Sequence, residues 1–111
     1  MQVNDTETNK NSPLRVLAFL EAKEGKRQEL LKILVPLVEP SRKEEGNIVY
    51  VLNSSIENPN EILFDEVWSN KDTFDKHYQK PKSYEDRDKV APLLVRPMEV
   101  KIYKEVTGSQ G

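Results

Sequence analysis

The stretch that decides the fold runs from residue 47 to residue 68 and reads NIVYVLNSSIENPNEILFDEVW. Its two ends, residues 47–54 and 62–68, are rich in β-branched and aromatic residues, which favour strands. Between them, Asn58-Pro59-Asn60 is a run of residue types that are typical of turns. The stretch therefore predicts a β-hairpin at the centre of the chain, with its turn in residues 56–61.

A strand is predicted upstream of the hairpin, over residues 14–22. Alternate residues of this strand lie on one face, and all of them are apolar: Leu14, Val16, Ala18, Leu20 and Ala22. The opposite face also carries apolar side chains, Leu17 and Phe19. A strand that is apolar on both faces is expected to be covered on both sides.

A helix is predicted between this strand and the hairpin. Residues 26–43 carry leucines at helical spacing. Pro36 and Pro40 interrupt the pattern, because a proline inside a helix removes a backbone hydrogen bond. We therefore expect a bend at Pro36 or a restart after Pro40, and we expect Gly46 to stop the helix.

Two short helices and a strand are predicted after the hairpin. Ser69 is the expected cap of the first helix, and one face of this helix carries Phe74, His77 and Tyr78. Pro81 is expected to break this helix, and Ser83 to start the second. The remaining apolar and polar residues alternate from 97 to 106, which predicts the final strand.

The order of elements is β-α-β-β-α(α)-β, which predicts an α+β, ferredoxin-like fold with a four-stranded antiparallel sheet and helices on one face. The other face of the sheet would carry Leu17, Phe19 and apolar residues of the second strand. That face is too apolar for water, so self-association through it is expected.

The length of 111 residues favours one domain. We expect it to span residues 13–106, between a disordered polar tail at 1–12 and a short C-terminal tail at 107–111. The chain lacks a long apolar run and a signal-peptide pattern, which predicts a cytoplasmic protein without a membrane partner.

The composition excludes several kinds of function. The chain has no cysteine and one histidine, which rules out disulfides, cysteine–zinc sites and thiol nucleophiles. Its 17 Lys and Arg against 19 Asp and Glu give a net charge of −2, which argues against binding to nucleic acid. RNA-recognition modules share the same element order, but the third strand, EILFDEVW, is acidic and lacks glycine.

Four segments together resemble one known family. They are the opening strand with AKEGKRQELLKIL (22–34), then SRKEEGNIVYVL (41–52), FDEVWSNKDTFDKH (64–77), and the last strand after a second short helix. In this order and spacing they are similar to the antibiotic biosynthesis monooxygenase (ABM) domain. The resemblance covers nearly all of residues 14–106.

The resemblance implies a homodimer, in which two sheets pack face to face as a dimeric α/β barrel. It also implies a pocket in each subunit between the sheet and the helices. Family members include small oxygenases that convert quinols or polycyclic phenols to quinones with O₂, without a metal or flavin. Other branches degrade haem, act on small signalling sugars or have no known activity. The expected partners are thus a second copy and a small aromatic substrate plus O₂, with no cofactor.

His77 is the candidate catalytic residue. An oxygenase without a cofactor must bind an aromatic ring, remove a proton and stabilise the resulting anion. A histidine, with an ordinary pKa of about 6.5, suits the role of base or proton shuttle. The structural alternative is a histidine that packs in the core and bonds to a backbone carbonyl.

The candidate substrate-binding residues are mostly aromatic: Trp68, Phe64, Phe74, Tyr78 and Glu66. Trp68 could stack on a ring or could simply belong to the core. Glu66 alternates with two aromatic residues on one strand face, where a carboxylate is costly unless it is paired. A structural salt bridge from Glu66 to Arg42 or Arg96 is favoured over a catalytic role.

Two positions depart from the family pattern. Many quinol-oxidising members carry a second histidine five residues after the first, and Lys82 stands there. The haem-degrading branch uses an asparagine in the first strand, where Ala18 stands, which argues against haem degradation but not against porphyrin binding through His77. The sequence therefore leaves two functions open: a quinol or phenol monooxygenase, or a non-catalytic dimeric module that binds a small apolar or porphyrin-like ligand.

Overall fold

The computed structural model describes residues 12–107, so the predicted tails fall almost wholly outside the described residues. The elements in chain order are β1 (Leu14–Glu21), α1 (Arg27–Leu34), a 3₁₀ turn (Val35–Leu37), α2 (Val38–Arg42), β2 (Asn47–Ser54), β3 (Glu61–Trp68), α3 (Lys71–Gln79), α4 (Pro81–Val90), a second 3₁₀ turn (Ala91–Leu93) and β4 (Glu99–Lys104). The predicted α+β, ferredoxin-like fold is confirmed.

The four strands form one antiparallel sheet in the order β2-β3-β1-β4. The predicted hairpin is confirmed, since Tyr50 of β2 lies opposite Glu66 of β3. β1 lies between β3 and β4, with Ala18 opposite Phe64 on one side and Val100 on the other. This register places alternate residues of every strand on one inner face.

The helices cover the inner face of the sheet, and the core lies between them. Buried and more exposed residues alternate along β1 as predicted, since its even-numbered residues from Leu14 to Leu20 are all buried. Leu30 and Leu34 of α1, Phe74 of α3 and Val90 of α4 complete this cluster. The apolar side chains that recur every second residue in the strands and about every 3.6 residues in the helices thus pack together in a single core.

The prolines of the first helical segment act differently from one another. Pro36 lies in the 3₁₀ turn between α1 and α2, so the α-helix is interrupted at the proline where the sequence predicts a bend. Pro40 lies inside α2 rather than before a restart. It is tolerated because it occupies the first turn, where backbone N–H groups have no partner within the helix.

The boundaries of α3 and α4 differ from the prediction. Asn70, not Ser69, caps α3: its side-chain oxygen accepts a hydrogen bond from the Thr73 N–H at 3.0 Å. The backbone of Ser69 instead extends the sheet by donating to the Gly46 carbonyl at 2.7 Å. α3 ends at Gln79, just before Pro81, as predicted. Pro81 rather than Ser83 begins α4, because a proline fits the first helical position.

Gly46 allows α3 to lie close to the start of β2. Its φ is +84°, a left-handed conformation that favours glycine. A Cβ at this position would overlap the side chain of Thr73 in the first turn of α3. The helix that carries His77 can therefore approach the loop before β2 only because residue 46 has no side chain.

Replacing Gly46 with alanine is expected to lower the free energy of unfolding by about 3 kcal/mol, because left-handed strain and overlap with Thr73 add. Gly25 is the matched control, since its φ is +78° and a Cβ there would meet nothing within 4 Å. Gly25→Ala should cost only the backbone strain, about 1 kcal/mol. Denaturant unfolding measures both losses, and equal losses would contradict the close approach of α3.

Candidate functional site

A cavity of about 270 Å³ lies between the inner face of the sheet and the helices. A cavity of about 150 Å³ already holds benzene, so this one is large enough for a small system of fused rings. Most of its wall is apolar, with contributions from three strands, three helices and two connecting segments: Val16, Ala18, Leu20, Leu34, Leu37, Phe64, Phe74, Val90, Met98 and Val100. The predicted pocket between sheet and helices is therefore present.

A few polar side chains interrupt this apolar wall. Glu66 and Tyr50 reach it from the sheet, and His77 reaches it from α3. Five further polar side chains come from the junction of α3 and α4 and from α4 itself: Lys80, Lys82, Ser83, Asp86 and Arg87. An apolar cavity with a small number of placed polar groups is typical of sites for small organic ligands.

His77 is held by a carboxylate from outside its own helix. The Nδ1 atom of His77 lies 3.0 Å from Oε1 of Glu44, in the loop between α2 and β2. Glu44 also accepts a hydrogen bond from Nζ of Lys80 at 2.5 Å. Because the carboxylate can only accept, Nδ1 of His77 carries the hydrogen and Nε2 keeps a lone pair.

The cavity keeps His77 uncharged. Its side chain is only 11% exposed, and burial lowers the pKa of His77 below its ordinary value. Glu44 acts in the opposite direction, whereas the charges of Lys80 and Arg87 add to the lowering. A neutral imidazole whose orientation is fixed through Nδ1 can accept a proton at Nε2.

Trp68 contacts both Glu66 and His77. It is fully buried behind the cavity wall and does not line it. Its indole N–H donates to Oε1 of Glu66 at 2.9 Å. The same indole packs against the His77 ring with a centroid distance of 4.7 Å. Trp68 thus positions Glu66 and His77 instead of forming the wall expected from the sequence.

Glu66 is buried, and no cation of residues 12–107 pairs with it. Its exposed fraction is 5%, and burial raises the pKa of Glu66 to about 7. The hydrogen bond from Trp68 opposes this rise, while the charges of Glu44 and Asp65 add to it. A carboxyl group with this pKa is partly protonated at neutral pH.

The expected salt bridge from Glu66 to Arg42 or Arg96 is wrong. Arg42 bonds instead to the Tyr50 backbone oxygen at 3.0 Å and to its i−3 neighbour on α2. Arg96 pairs with Glu21 at the end of β1. Neither arginine reaches Glu66, because Glu66 points into the space between sheet and helices, where aromatic side chains surround it.

The remaining predicted site residues lie on the cavity wall. Phe64, Phe74 and Tyr78 all line it, and the guanidinium of Arg87 lies 3.9 Å above the Tyr78 ring. Tyr50 of β2 also lines the cavity. Burial raises the pKa of Tyr50 well above its usual range, against the effect of a hydrogen bond with Ser41.

Glu44 is the functional candidate that sequence reasoning missed. It lies 33 residues before His77, and no local pattern joins two positions so far apart. One signal was available, because Glu44 is the glutamate of the Ser-Arg-x-Glu-x-Gly run in residues 41–46. Its neighbour Glu45 is exposed and lies 3.8 Å from Lys76 on the surface.

The two positions that depart from the family pattern also face the cavity. Lys82 lines it, and its Nζ lies 2.7 Å from Asp86 one turn later on α4. Ala18 presents only a methyl group from the centre of β1. A second histidine and the asparagine of the haem-degrading branch are therefore both replaced on the wall itself.

Residues 12–107 contain neither a cluster of metal-ligating side chains nor a helix that could span a membrane. No three histidine, aspartate or glutamate side chains of this part of the chain converge in a way that could hold a metal ion. In the same range, no helix has the length and apolar character needed to cross a membrane.

The fold and cavity define a small ferredoxin-like protein with an aromatic pocket. Residues 13–84 match the family described as antibiotic biosynthesis monooxygenase (ABM), and the chain belongs to this family. Protein sll1783 of Synechocystis sp., itself uncharacterised, is 36% identical over 94 residues, which is 85% of this chain. The chain spans 64% of the length of that curated relative.

Solved structures share the same fold. Rv0793 from Mycobacterium tuberculosis has a TM-score of 0.83 at 26% identity, covering 89% of this chain and 100% of that one. SO0527 from Shewanella oneidensis has a TM-score of 0.79 at 30% identity, covering 86% of this chain and 92% of that one.

Replacing Glu66 with glutamine is expected to remove a pH-dependent cost of burial. The pKa of Glu66 rises from 4.5 to about 7 on folding, so wild type loses stability as pH rises through this interval. Relative to wild type, the unfolding free energy of Glu66→Gln should gain about 3 kcal/mol between pH 4.5 and pH 8.

Denaturant unfolding at several pH values measures this difference. Glu61→Gln is the matched control, because Glu61 lies at the exposed end of the same strand. A gain that does not depend on pH, or one that Glu61→Gln shares, would show that Glu66 is not held as a buried acid.

Proposed function

We propose that the protein is a monooxygenase that oxidises a quinol or another phenolic aromatic compound with O₂, without a metal or flavin. One observation carries the proposal: a neutral histidine, oriented by Glu44, opens into an apolar cavity sized for a small ring system. Membership of the ABM family supports the same class of chemistry.

The reaction needs little from the protein beyond binding and proton transfer. A phenol becomes a far better electron donor to O₂ once its hydroxyl group is deprotonated, so the protein must remove that proton and stabilise the anion. Overall, a phenol and O₂ give a quinone and water, and a quinol and O₂ give a hydroxyquinone and water. The substrate itself supplies the electrons.

His77 is the proposed base. With Nδ1 bonded to Glu44, its Nε2 takes the proton of the substrate hydroxyl group. The Glu44 carboxylate then stabilises the positive imidazolium, as a carboxylate does behind other catalytic histidines. Lys80 shares the same carboxylate and limits its movement.

The aromatic side chains of the cavity are the proposed binding surface. Phe64, Phe74 and Tyr78 provide faces and edges for a flat ring. Trp68 contributes from behind, because its contact with the His77 ring at 4.7 Å fixes the plane of the imidazole. Glu66 adds a polar group that can contact a substrate oxygen.

The second candidate function is a non-catalytic dimeric module that binds a small apolar or porphyrin-like ligand. Lys82 favours it, because a relay of two histidines is absent from the described cavity wall and Lys82 is already paired with Asp86. Binding would then use the same aromatic wall without proton transfer. The two functions differ in what the loss of His77 changes.

Oxygen uptake by metal-stripped protein, with a panel of hydroquinones and hydroxynaphthalenes, tests the proposal. We expect uptake above autoxidation in wild type and a loss of about 10²- to 10⁴-fold in His77→Ala, since that variant lacks the base. Glu44→Gln should lose roughly 10- to 100-fold, as is usual for groups that orient a histidine.

Glu45→Gln is the matched control for Glu44→Gln, because Glu45 is exposed and pairs with Lys76 on the surface instead of with the histidine. It should retain wild-type uptake. Uptake equal to the blank for the whole panel, together with ligand binding that survives in His77→Ala, would contradict the oxygenase and favour the binding module. Equal losses in the two glutamine variants would contradict the orienting role of Glu44.

We also propose that two copies pair through the outer faces of their sheets. The outer face carries an apolar surface around the Arg15–Asp65 ion pair: Leu17, Phe19, Val49, Val51, Leu63 and Val67. Phe19 and Val51 remain 38% and 39% exposed in one chain. A second copy covers this surface on both chains at once, because a two-fold contact joins identical patches.

Phe19→Asp is expected to convert the dimer to a monomer, because it places a charge on the central strand of that apolar surface. Sedimentation velocity at micromolar concentration measures the mass of each species. Ile56→Asp is the control, since Ile56 is fully exposed in the turn of the hairpin. A monomeric wild type, or a dimer that survives Phe19→Asp, would contradict pairing through this face.

A further inference from the structure

We propose that Glu66 is a second catalytic residue, whose carboxyl group donates a proton to the oxygen that is added to the substrate ring. His77 and Glu66 then divide the proton transfers, the histidine as base and the glutamic acid as acid. The inference rests on the proposed function and deepens it, because it gives the cavity a complete proton cycle.

The first observation is that Glu66 has an unused oxygen that opens into the cavity. Its Oε1 accepts the hydrogen bond from Trp68. Within residues 12–107 no hydrogen-bond donor contacts Oε2. In the same range, every fully buried side-chain nitrogen or oxygen has a hydrogen-bond partner. Oε2 must therefore be accessible, and the cavity is what Glu66 faces.

The second observation is that the position is costly for stability. A buried carboxylate without a cation loses its hydration and gains little in return. Aromatic rings flank it, with Tyr50 opposite on β2 and Phe64 two residues earlier on β3. A polar group that is costly and faces a cavity is a candidate functional group.

The third observation is the set of groups that face Glu66. Glu44, in the loop before β2, and Asp65, on the opposite face of the same strand, both act on Glu66 with negative charge, and Tyr50 from β2 is uncharged. The helices contribute the other titratable groups of the cavity wall: His77, Lys80, Lys82, Asp86 and Arg87. Glu44 and Asp86 pair with two of the cations, Lys80 and Lys82.

The environment shifts the pKa values of Glu66 and His77 in the directions that an acid and a base require. Burial raises the pKa of Glu66 and lowers the pKa of His77, which reverses the usual order of a glutamate and a histidine. Both side chains contact the same indole. A protonated carboxyl and a neutral imidazole therefore coexist near neutral pH, as in other acid–base pairs.

The proton cycle balances for a phenol. His77 takes the hydroxyl proton, and the anion transfers an electron to O₂. The two radicals combine in a C–O bond, and the distal oxygen takes the proton of Glu66 to give a ring hydroperoxide. The Glu66 carboxylate then removes the ring proton at that carbon as the O–O bond breaks. The departing hydroxide takes the proton from His77, which gives the quinone and water and restores both residues.

Glu66→Gln tests this role, because the amide still accepts the Trp68 hydrogen bond but cannot donate an acidic proton. We expect oxygen uptake to fall about 10²-fold. In wild type, uptake should also fall as pH rises above about 7, because the acid is lost; the residual uptake of Glu66→Gln should lack this decline. Glu61→Gln is the control and should keep the wild-type profile.

An anaerobic measurement separates the acid from a merely structural group. Substrate absorbance without O₂ reports formation of the phenolate, which Glu66→Gln should support as wild type does and His77→Ala should not. Loss of phenolate formation in Glu66→Gln, or a wild-type pH profile in that variant, would overturn the proposal while leaving the oxygenase intact. A wild type that consumes no O₂ with any phenol would overturn both.

Discussion

The buried indole of Trp68 is the contact on which the site depends. It ends β3, where its backbone lies opposite Leu14 of β1 and Asn47 of β2, so the sheet fixes its place from both sides. From there it donates to Glu66 and packs against His77. Because the sheet fixes the position of this rigid ring, the ring in turn positions His77 of α3 and Glu66 of β3, which line the same cavity.

The second constraint is the close approach of α3 to the loop before β2. Gly46 permits this approach, and Glu44, two residues earlier, then reaches His77. His77 and Glu66 thus each have one hydrogen-bonded side-chain partner. His77 has a carboxylate but is largely shielded from solvent, and Glu66 has an indole N–H but no cation from residues 12–107, so the low-dielectric surroundings determine both protonation states.

The parts of the structure that follow from local pattern could be predicted from the sequence. Alternation in β1 and the turn residues around Pro59 specify strand faces and the hairpin without reference to the rest of the chain. The cap of α3 could not be assigned this way, since Ser69 and Asn70 are both good caps and only the pairing of Ser69 with Gly46 decides between them. The contact of Glu44 with His77 likewise depends on tertiary packing.

The two faces of the sheet are electrostatically connected, because Asp65 and Glu66 are consecutive residues that point in opposite directions. Arg15 pairs with Asp65 at 2.6 Å on the outer face and offsets part of its charge. A second sheet packed over that face would exclude water and reduce screening, so the residual field of Asp65 would act more strongly on Glu66. Pairing of two copies would then favour the protonated form of Glu66, and the assembly would support the chemistry of a cavity that it does not touch.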